Sequence, residues 1–183
     1  ADETTFEAAA MALRTRRRTR LGALTLSERP LPVAPSEDAA RVFADGVIAA
    51  GLERLPWSKA LKQWRSRAMF LRAAQGEPWP DLSDEGLIAA RAAWLEPLAY
   101  GKTALTQIEA GALGDAVTAL LPWGLRARLE YEAPSHFEAP TGSRLAIDYA
   151  AAQGPTVAVR LQELFGLTMH PSVGGGRVPL VLE

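Results

Sequence analysis

Five arginines within seven positions form the densest group of charges in the sequence, and they are Arg14, Arg16, Arg17, Arg18 and Arg20. Guanidinium groups match phosphate oxygens in bidentate geometry, so this run predicts contacts to a nucleic-acid backbone. Mutual repulsion makes such a run costly unless water, salt or a polyanion compensates it. The alternative is a solvated strand or a fraying terminus whose charges face water.

The basic residues are concentrated in the first part of the chain. Residues 1–75 carry 13 basic and 8 acidic side chains, a net of +5, whereas residues 76–183 carry 7 and 13, a net of −6, giving −1 in total. A second basic face lies beside an apolar stripe on a predicted helix and consists of Lys59, Lys62, Arg65 and Arg72, of which the first three are the binding candidates. This face is a further nucleic-acid candidate, although such a face is more often simply solvated.

The sequence contains little that could act in catalysis. Gly101-Lys102-Thr103 resembles the end of a phosphate-binding loop, but Glu96 stands where that motif needs glycine. The tripeptide is better explained as a helix end, with Gly101 as the cap. The chain has no cysteine and no G-x-S-x-G motif, and its two histidines lie 34 positions apart. We therefore expect an accessory module without a cofactor or metal of its own, and leave open whether the chain is an enzyme.

The composition predicts a globular cytoplasmic protein. Hydrophobic residues make up 48% of the chain, which is enough for a packed core. No apolar run reaches the ~18–20 residues needed to span a bilayer, and no signal-peptide pattern opens the chain, so we expect no membrane contact. Because the sequence stops inside the apolar stretch 178–182, we expect it to be a piece of a longer polypeptide.

The spacing of apolar residues predicts an α+β fold in three parts. Residues 1–31 are expected to form a short strand pair, because Leu24 and Leu26 alternate with polar residues. After a proline-rich linker, residues 36–132 predict a helical block of about four helices. Residues 133–183 predict a mostly antiparallel sheet of about four strands.

Three local signals place the helix ends. Ser36 is the expected N-cap of the first helix and Gly51 its expected end. Pro122 is expected to bend or divide a helix that runs from Gly114 to Glu132.

The expected core stripe of the helix after Gly51 consists of Trp57, Ala60, Leu61, Trp64, Ala68 and Leu71.

An ordered series of short sequence motifs, spread from about residue 14 to residue 182, resembles the C-terminal region of the HrpB family of bacterial DEAH-type ATP-dependent RNA helicases. Each motif alone is weak evidence for the family, but their order along the chain is specific to it. The motifs include Leu21-Gly22-Ala23-Leu24, Leu55-Pro56-Trp57, Trp79-Pro80-Asp81-Leu82-Ser83-Asp84, Trp94-Leu95, Pro140-Thr141-Gly142-Ser143-Arg144 and Gly175-Gly176-Arg177-Val178-Pro179-Leu180.

The resemblance implies that the complete helicase uses ATP and Mg in two RecA-like domains, which lie outside this chain. It also implies that residues 1–31 are the end of an OB-like domain. In related helicases this domain helps to line the RNA path, so the arginine run becomes the best phosphate-contact candidate. The resemblance supplies no residue-level assignment, and no ATPase motif is present here.

Two functions remain open at this stage. The first is an accessory region that grips single-stranded RNA, without sequence preference, for a motor elsewhere in the same polypeptide. The second is a protein-interaction or interdomain module, whose arginines pair with acidic surfaces of the helicase core. Open strand edges also allow self-association of the chain.

Overall fold

The computed structural model describes all 183 residues, which form two compact units of discontinuous segments. The first unit contains residues 1–58 and 84–120, and the second unit contains residues 59–83 and 121–183. Helices and small sheets occur together, which confirms the predicted mixture of α and β structure. None of the helices combines the length and apolar character that crossing a membrane requires.

The chain contains six α-helices and nine strands. The helices are α1 (Glu37–Ala50), α2 (Lys59–Gln75), α3 (Asp84–Ala89), α4 (Arg91–Ala99), α5 (Ala110–Thr118) and α6 (Arg126–Glu132). The strands are β1 (Asp2–Glu7), β2 (Ala12–Leu21), β3 (Leu24–Leu31), β4 (His136–Glu138), β5 (Arg144–Ala146), β6 (Thr156–Val157), β7 (Ser172–Val173), β8 (Val178–Pro179) and β9 (Val181–Leu182).

The first unit opens with a three-stranded antiparallel sheet in the order β1-β2-β3. The predicted strand pair was therefore wrong by one strand, because β1 pairs with β2 along its whole length. The β1 sequence contains Thr4, Thr5 and Phe6, which favour strands, but its exposed acidic residues obscure the alternation. Adding β1 makes the arginine-bearing β2 the central strand.

The sheet packs on α1 through one aromatic contact. The Phe6 ring meets the Phe43 ring edge-on, with centroids 5.7 Å apart and an interplanar angle of 78°. Gly46 on α1 permits this approach, since a Cβ at that position would lie 2.1 Å from the Phe6 ring. Phe43, Trp94 and Leu113 are fully buried and carry the core across α1, α4 and α5.

The ends of the first helix agree with the local sequence signals, whereas the number of helices differs from the prediction. Ser36 caps α1 by accepting a hydrogen bond from the Ala39 amide at 3.0 Å, and α1 ends at Gly51, whose φ is 112°, as predicted. The expected four helices are six. Pro122 divides the helix predicted from Gly114 onward into α5 and α6, because proline has no amide hydrogen to donate. A break at Ala90 separates α3 from α4.

The second unit is built around α2. Its buried face includes Leu61, Ala68 and Leu71, whereas Trp64 is half-buried and Ala60 is exposed, so the predicted stripe is only partly core. The predicted four-stranded sheet is instead three two-stranded sheets: β4–β5 and β7–β8 are antiparallel and β6–β9 is parallel. These strands have two or three residues each, too few to form one continuous ladder.

Candidate nucleic-acid interface

All five arginines of the run lie on β2, where strand geometry orders them on two faces. Arg14, Arg16 and Arg18 alternate onto one face of the sheet and Arg17 lies on the other. A register shift between Thr19 and Arg20 interrupts the pairing with β3. Alternate arginines are therefore about 7 Å apart along the strand.

Carboxylates on the neighbouring strands pair with four of these five arginines. The pairs are Arg14 with Glu7 (3.1 Å), Arg16 with Glu28 (2.8 Å), Arg17 with Asp2 (2.7 Å, through two hydrogen bonds) and Arg18 with both Glu3 (2.9 Å) and Glu28 (3.3 Å). The side chains of these arginines remain 32–52% exposed. Such exposed pairs contribute little to stability because water screens them, so a phosphate can compete for the guanidinium groups.

Two arginines of the same sheet have no such partner. Arg20 on β2 and Arg29 on β3 form no ion pair or side-chain hydrogen bond, and both are exposed. Residues 1–31 contain six arginines and four acidic residues, so the sheet keeps a formal charge of +2. That excess charge is what the sheet can offer to a polyanion.

The ion pairs make the stability of the sheet depend on pH in a definite direction. Hydrogen bonds from Arg17 and Arg16 hold the pKa of Asp2 below 3.8 and the pKa of Glu28 below 4.5, their ordinary values. A lowered folded-state pKa stabilises the fold above the ordinary pKa, and this contribution disappears as the pH falls through the folded-state value. We expect the difference in thermal stability between the wild type and the Asp2→Asn/Glu28→Gln variant to be constant from pH 7 to about 5 and to shrink below about 4. Thermal unfolding followed by circular dichroism measures this difference, and a gap that grows on acidification would contradict the assignment.

The second predicted basic face is divided by the structure. Lys59 and Lys62 lie in the first turn of α2, exposed and without an ion pair or side-chain hydrogen bond. Arg65 is half-buried, and its Nε donates to the Leu82 carbonyl at 2.6 Å, which gives it a structural task. These residues belong to the second unit, whereas the arginine strand belongs to the first.

An exposed tryptophan escaped the sequence analysis. The Trp123 side chain is 80% exposed, and the guanidinium carbon of Arg126 lies 4.5 Å from the ring centroid. The position between Pro122 and Gly124 was the available signal, since it places this tryptophan in a loop rather than on a helix stripe. A free aromatic face beside an arginine is suited to stacking with an unpaired base.

An apolar patch at the end of the β2–β3 hairpin was also missed. Leu21, Leu24 and Leu26 are each more than 60% exposed, and they lie around the turn that contains Gly22. The alternation of Leu24 and Leu26 is typical of a half-buried strand, but both side chains are exposed at the end of the hairpin. Exposed apolar patches of this kind mark contacts with other protein surfaces.

A buried arginine on α2 positions the chain after α6. Arg67 Nε donates to the Ala133 carbonyl at 2.6 Å, and its Nη2 lies 2.9 Å from Glu130 Oε2, although not aligned for a hydrogen bond. One turn earlier, Gln63 donates to the carbonyls of Ser135 and Ile147. The sequence carries no signal for this role, because Arg67 is one of several basic residues on α2.

Other motifs have structural explanations. Gly101 follows the last turn of α4 with a φ of 75°, and the Lys102 amide donates to the Ala99 carbonyl, as expected for a helix end. Across residues 1–183, no group of three or more His, Asp or Glu side chains is close enough to hold a metal ion.

Comparisons with known proteins agree on one family. The HrpB C-terminal family model, described as "ATP-dependent helicase C-terminal", matches residues 94–183. The ATP-dependent RNA helicase HrpB of Escherichia coli K12 is 39% identical over 170 residues, which are 91% of this chain and 21% of that protein. Crystal structures titled E. coli DExH-box NTPase HrpB and Escherichia coli DEAH/RHA helicase HrpB match all of this chain with TM-scores of 0.78, at 37% and 36% identity. The chain spans 23% of each of these two structures, about a quarter of their length.

Proposed function

We propose that this chain is a non-catalytic accessory region, which contacts RNA and packs against the helicase core of the same polypeptide. The premise is that the chain belongs to the HrpB family of ATP-dependent helicases and corresponds to its C-terminal region. ATP and Mg would be used by the remaining part of such a helicase, in the cytoplasm. In the same proposal, residues 1–31 are the end of an OB-like domain, 36–132 the helical block and 133–183 the β-rich part.

The observation that carries the RNA contact is the arginine-bearing sheet with its uncompensated charge. The central strand presents Arg14, Arg16 and Arg18 at alternate positions on one face, and Arg20 and Arg29 have no carboxylate partner. A phosphate backbone provides a row of anions that such a surface can track without reading bases. The contact is therefore independent of sequence and sensitive to salt.

The local carboxylates limit the strength of this contact. A phosphate that binds Arg16 or Arg17 must displace Glu28 or Asp2 from an existing ion pair. Each exchange gains less than binding to a free guanidinium, because the arginine is already paired before RNA arrives. Arg20 and Arg29 are consequently the positions at which phosphate contact is most favourable.

Removal of these two unpaired charges tests the RNA proposal. We expect Arg20→Gln/Arg29→Gln to make the slope of log K against log salt shallower by about 1.4, because each phosphate contact contributes about 0.7 for single strands. Fluorescence anisotropy of a labelled single-stranded RNA measures the slope. The matched control is Arg160→Gln/Arg177→Gln, which removes two exposed arginines from the second unit. Equal slopes for both variants would contradict the assignment to the sheet.

The alternative is a packing module without direct RNA contact, and the exposed leucines of the hairpin end favour it. Leu21, Leu24 and Leu26 offer an apolar surface to a protein partner, which in this alternative is the helicase core of the same polypeptide. We expect Leu21→Ser/Leu24→Ser to lower the melting temperature of the complete helicase and to leave that of the isolated chain unchanged. Loss of stability in the isolated chain as well would contradict docking, since it would show that the leucines support the sheet itself.

A further inference from the structure

An open groove of about 700 Å³ lies in the second unit, between the first turns of α2 and the segment 136–150. The buried side chains of Ile147 and Tyr149 form its apolar floor, beside the exposed Ala60, Ala146 and Ala150. Lys59 and Lys62 line its edge together with His136. A groove of this size, with apolar groups on one side and polar groups on the other, can hold a small ligand that has both an apolar and a charged part.

The lysines of this groove are unusual in number and position. The chain contains three lysines, and two of them line the groove. Both lie in the first turn of α2, where the helix dipole disfavours cations, and no acidic residue is present in that turn. Three positions apart on a helix, they also repel each other. The arrangement lowers local stability unless an anion lies beside both ammonium groups.

The walls of the groove are held in place before any ligand arrives. Gln63 donates to the Ser135 carbonyl at 2.7 Å and to the Ile147 carbonyl at 3.1 Å, which ties α2 to both sides of the opposite segment. His136 Nδ1 is hydrogen-bonded to Ser135 Oγ at 2.8 Å, which leaves Nε2 for a ligand. Asp148 is the one carboxylate in the lining, and its Oδ1 already accepts from the Ala150 amide.

We propose that this groove binds a nucleoside monophosphate unit, with the base on the apolar floor and the phosphate between Lys59 and Lys62. The chemistry requires a flat, weakly polar group attached to an anion, which a free mononucleotide and a nucleotide within an RNA strand share. If the nucleotide belongs to an RNA strand, this inference rests on the proposed function and specifies which part of the RNA the two lysines bind. Mononucleotide binding at the groove stands independently of the arginine sheet.

Nuclear magnetic resonance titration of the chain with AMP, adenosine, inorganic phosphate and a single-stranded oligoadenylate tests the proposal. We expect saturable AMP-induced shifts of the amides of Ala60, Ala146 and Ile147. We expect the affinity to fall about tenfold in Lys59→Gln/Lys62→Gln, since two charge-assisted contacts are lost. Lys102→Gln is the matched control, because it removes the third lysine, which lies outside the groove.

Each arm has a defined outcome. If the oligoadenylate shifts the same amides as AMP and binds more tightly, the ligand is an RNA strand. If the two bind with equal affinity, the ligand is the mononucleotide. The nucleotide assignment would be overturned if phosphate or adenosine bound as tightly as AMP. It would also be overturned if the AMP-induced shifts persisted in Lys59→Gln/Lys62→Gln, or if about 10 mM AMP caused no shifts in the wild type. The Arg20→Gln/Arg29→Gln variant is expected to retain AMP binding, so failure of the sheet proposal and failure of the groove proposal remain distinguishable.

Discussion

Replacing Arg16, Arg17, Arg18 and Arg20 by glutamine is expected to weaken binding of single-stranded RNA by up to about a thousandfold at about 50 mM salt. Four lost contacts, at about 0.7 each, lower the slope of log K against log salt by up to about 2.8. The substitutions also leave Glu3 and Glu28 without partners on the face that carries Arg16 and Arg18, and they leave Asp2 without a partner on the opposite face. These unpaired carboxylates repel a phosphate backbone and act in the same direction as the lost contacts.

The opposite change in charge provides the control for this prediction. Asp2→Asn/Glu28→Gln releases Arg16 and Arg17 from their carboxylates and leaves Arg18 paired with Glu3 alone, so we expect tighter RNA binding and a steeper slope. Anisotropy titrations over a range of salt concentrations measure both variants, with circular dichroism to verify the fold. A slope that stays unchanged in both variants, together with reduced stability of the sheet, would contradict RNA contact and favour the interaction module.

Arg67→Ala is expected to lower the free energy of unfolding of the second unit by about 3 kcal/mol. The Arg67 side chain is 6% exposed, so its removal leaves a cavity beside α2. It also leaves the fully buried Ala133 without the guanidinium that its carbonyl accepts from. Glu130 contributes little to the loss, because its side chain is 65% exposed and regains water.

Urea denaturation followed by circular dichroism measures this effect. Arg177→Ala removes an exposed arginine of the same unit and is expected to change the free energy of unfolding by less than about 0.5 kcal/mol. Arg67→Met retains most of the buried volume but not the hydrogen bond to the Ala133 carbonyl. We therefore expect it to lower the free energy of unfolding by more than Arg177→Ala and by less than Arg67→Ala. If Arg67→Ala behaves like Arg177→Ala, the assigned positioning role of Arg67 is wrong.

Local signals in the sequence were sufficient for several elements. Ser36 and Gly51 bound α1 because a cap needs only the residues within one turn of it. Pro122 divides a helix for the same reason. The helix ends and the break concern residues that are close in sequence. The family resemblance depended on the order of short motifs along the whole chain, and it too required no knowledge of contacts.

The charge on the arginine strand could not be inferred in this way. Arg17 meets Asp2, 15 positions earlier, and Arg18 meets Glu28, 10 positions later. The sequence shows a net excess over residues 1–75, but it does not show that the carboxylates lie opposite the arginines. That arrangement depends on the register of β1 against β2 and of β2 against β3. Register is a property of strand pairing, which side chains from both strands determine together.

The sequence by itself determined the family, the presence of an arginine-rich strand and the ends of the first helix. These depend on neighbouring residues or, for the family, on the order of short motifs along the chain, and none of them requires knowledge of contacts. Only the tertiary structure decided which cations are free. It pairs four arginines of β2, gives Arg65 and Arg67 carbonyls to bind, and leaves Arg20, Arg29, Lys59 and Lys62 unpartnered. The physical reason is that a charge is most available to a ligand when no group brought near by folding already compensates it.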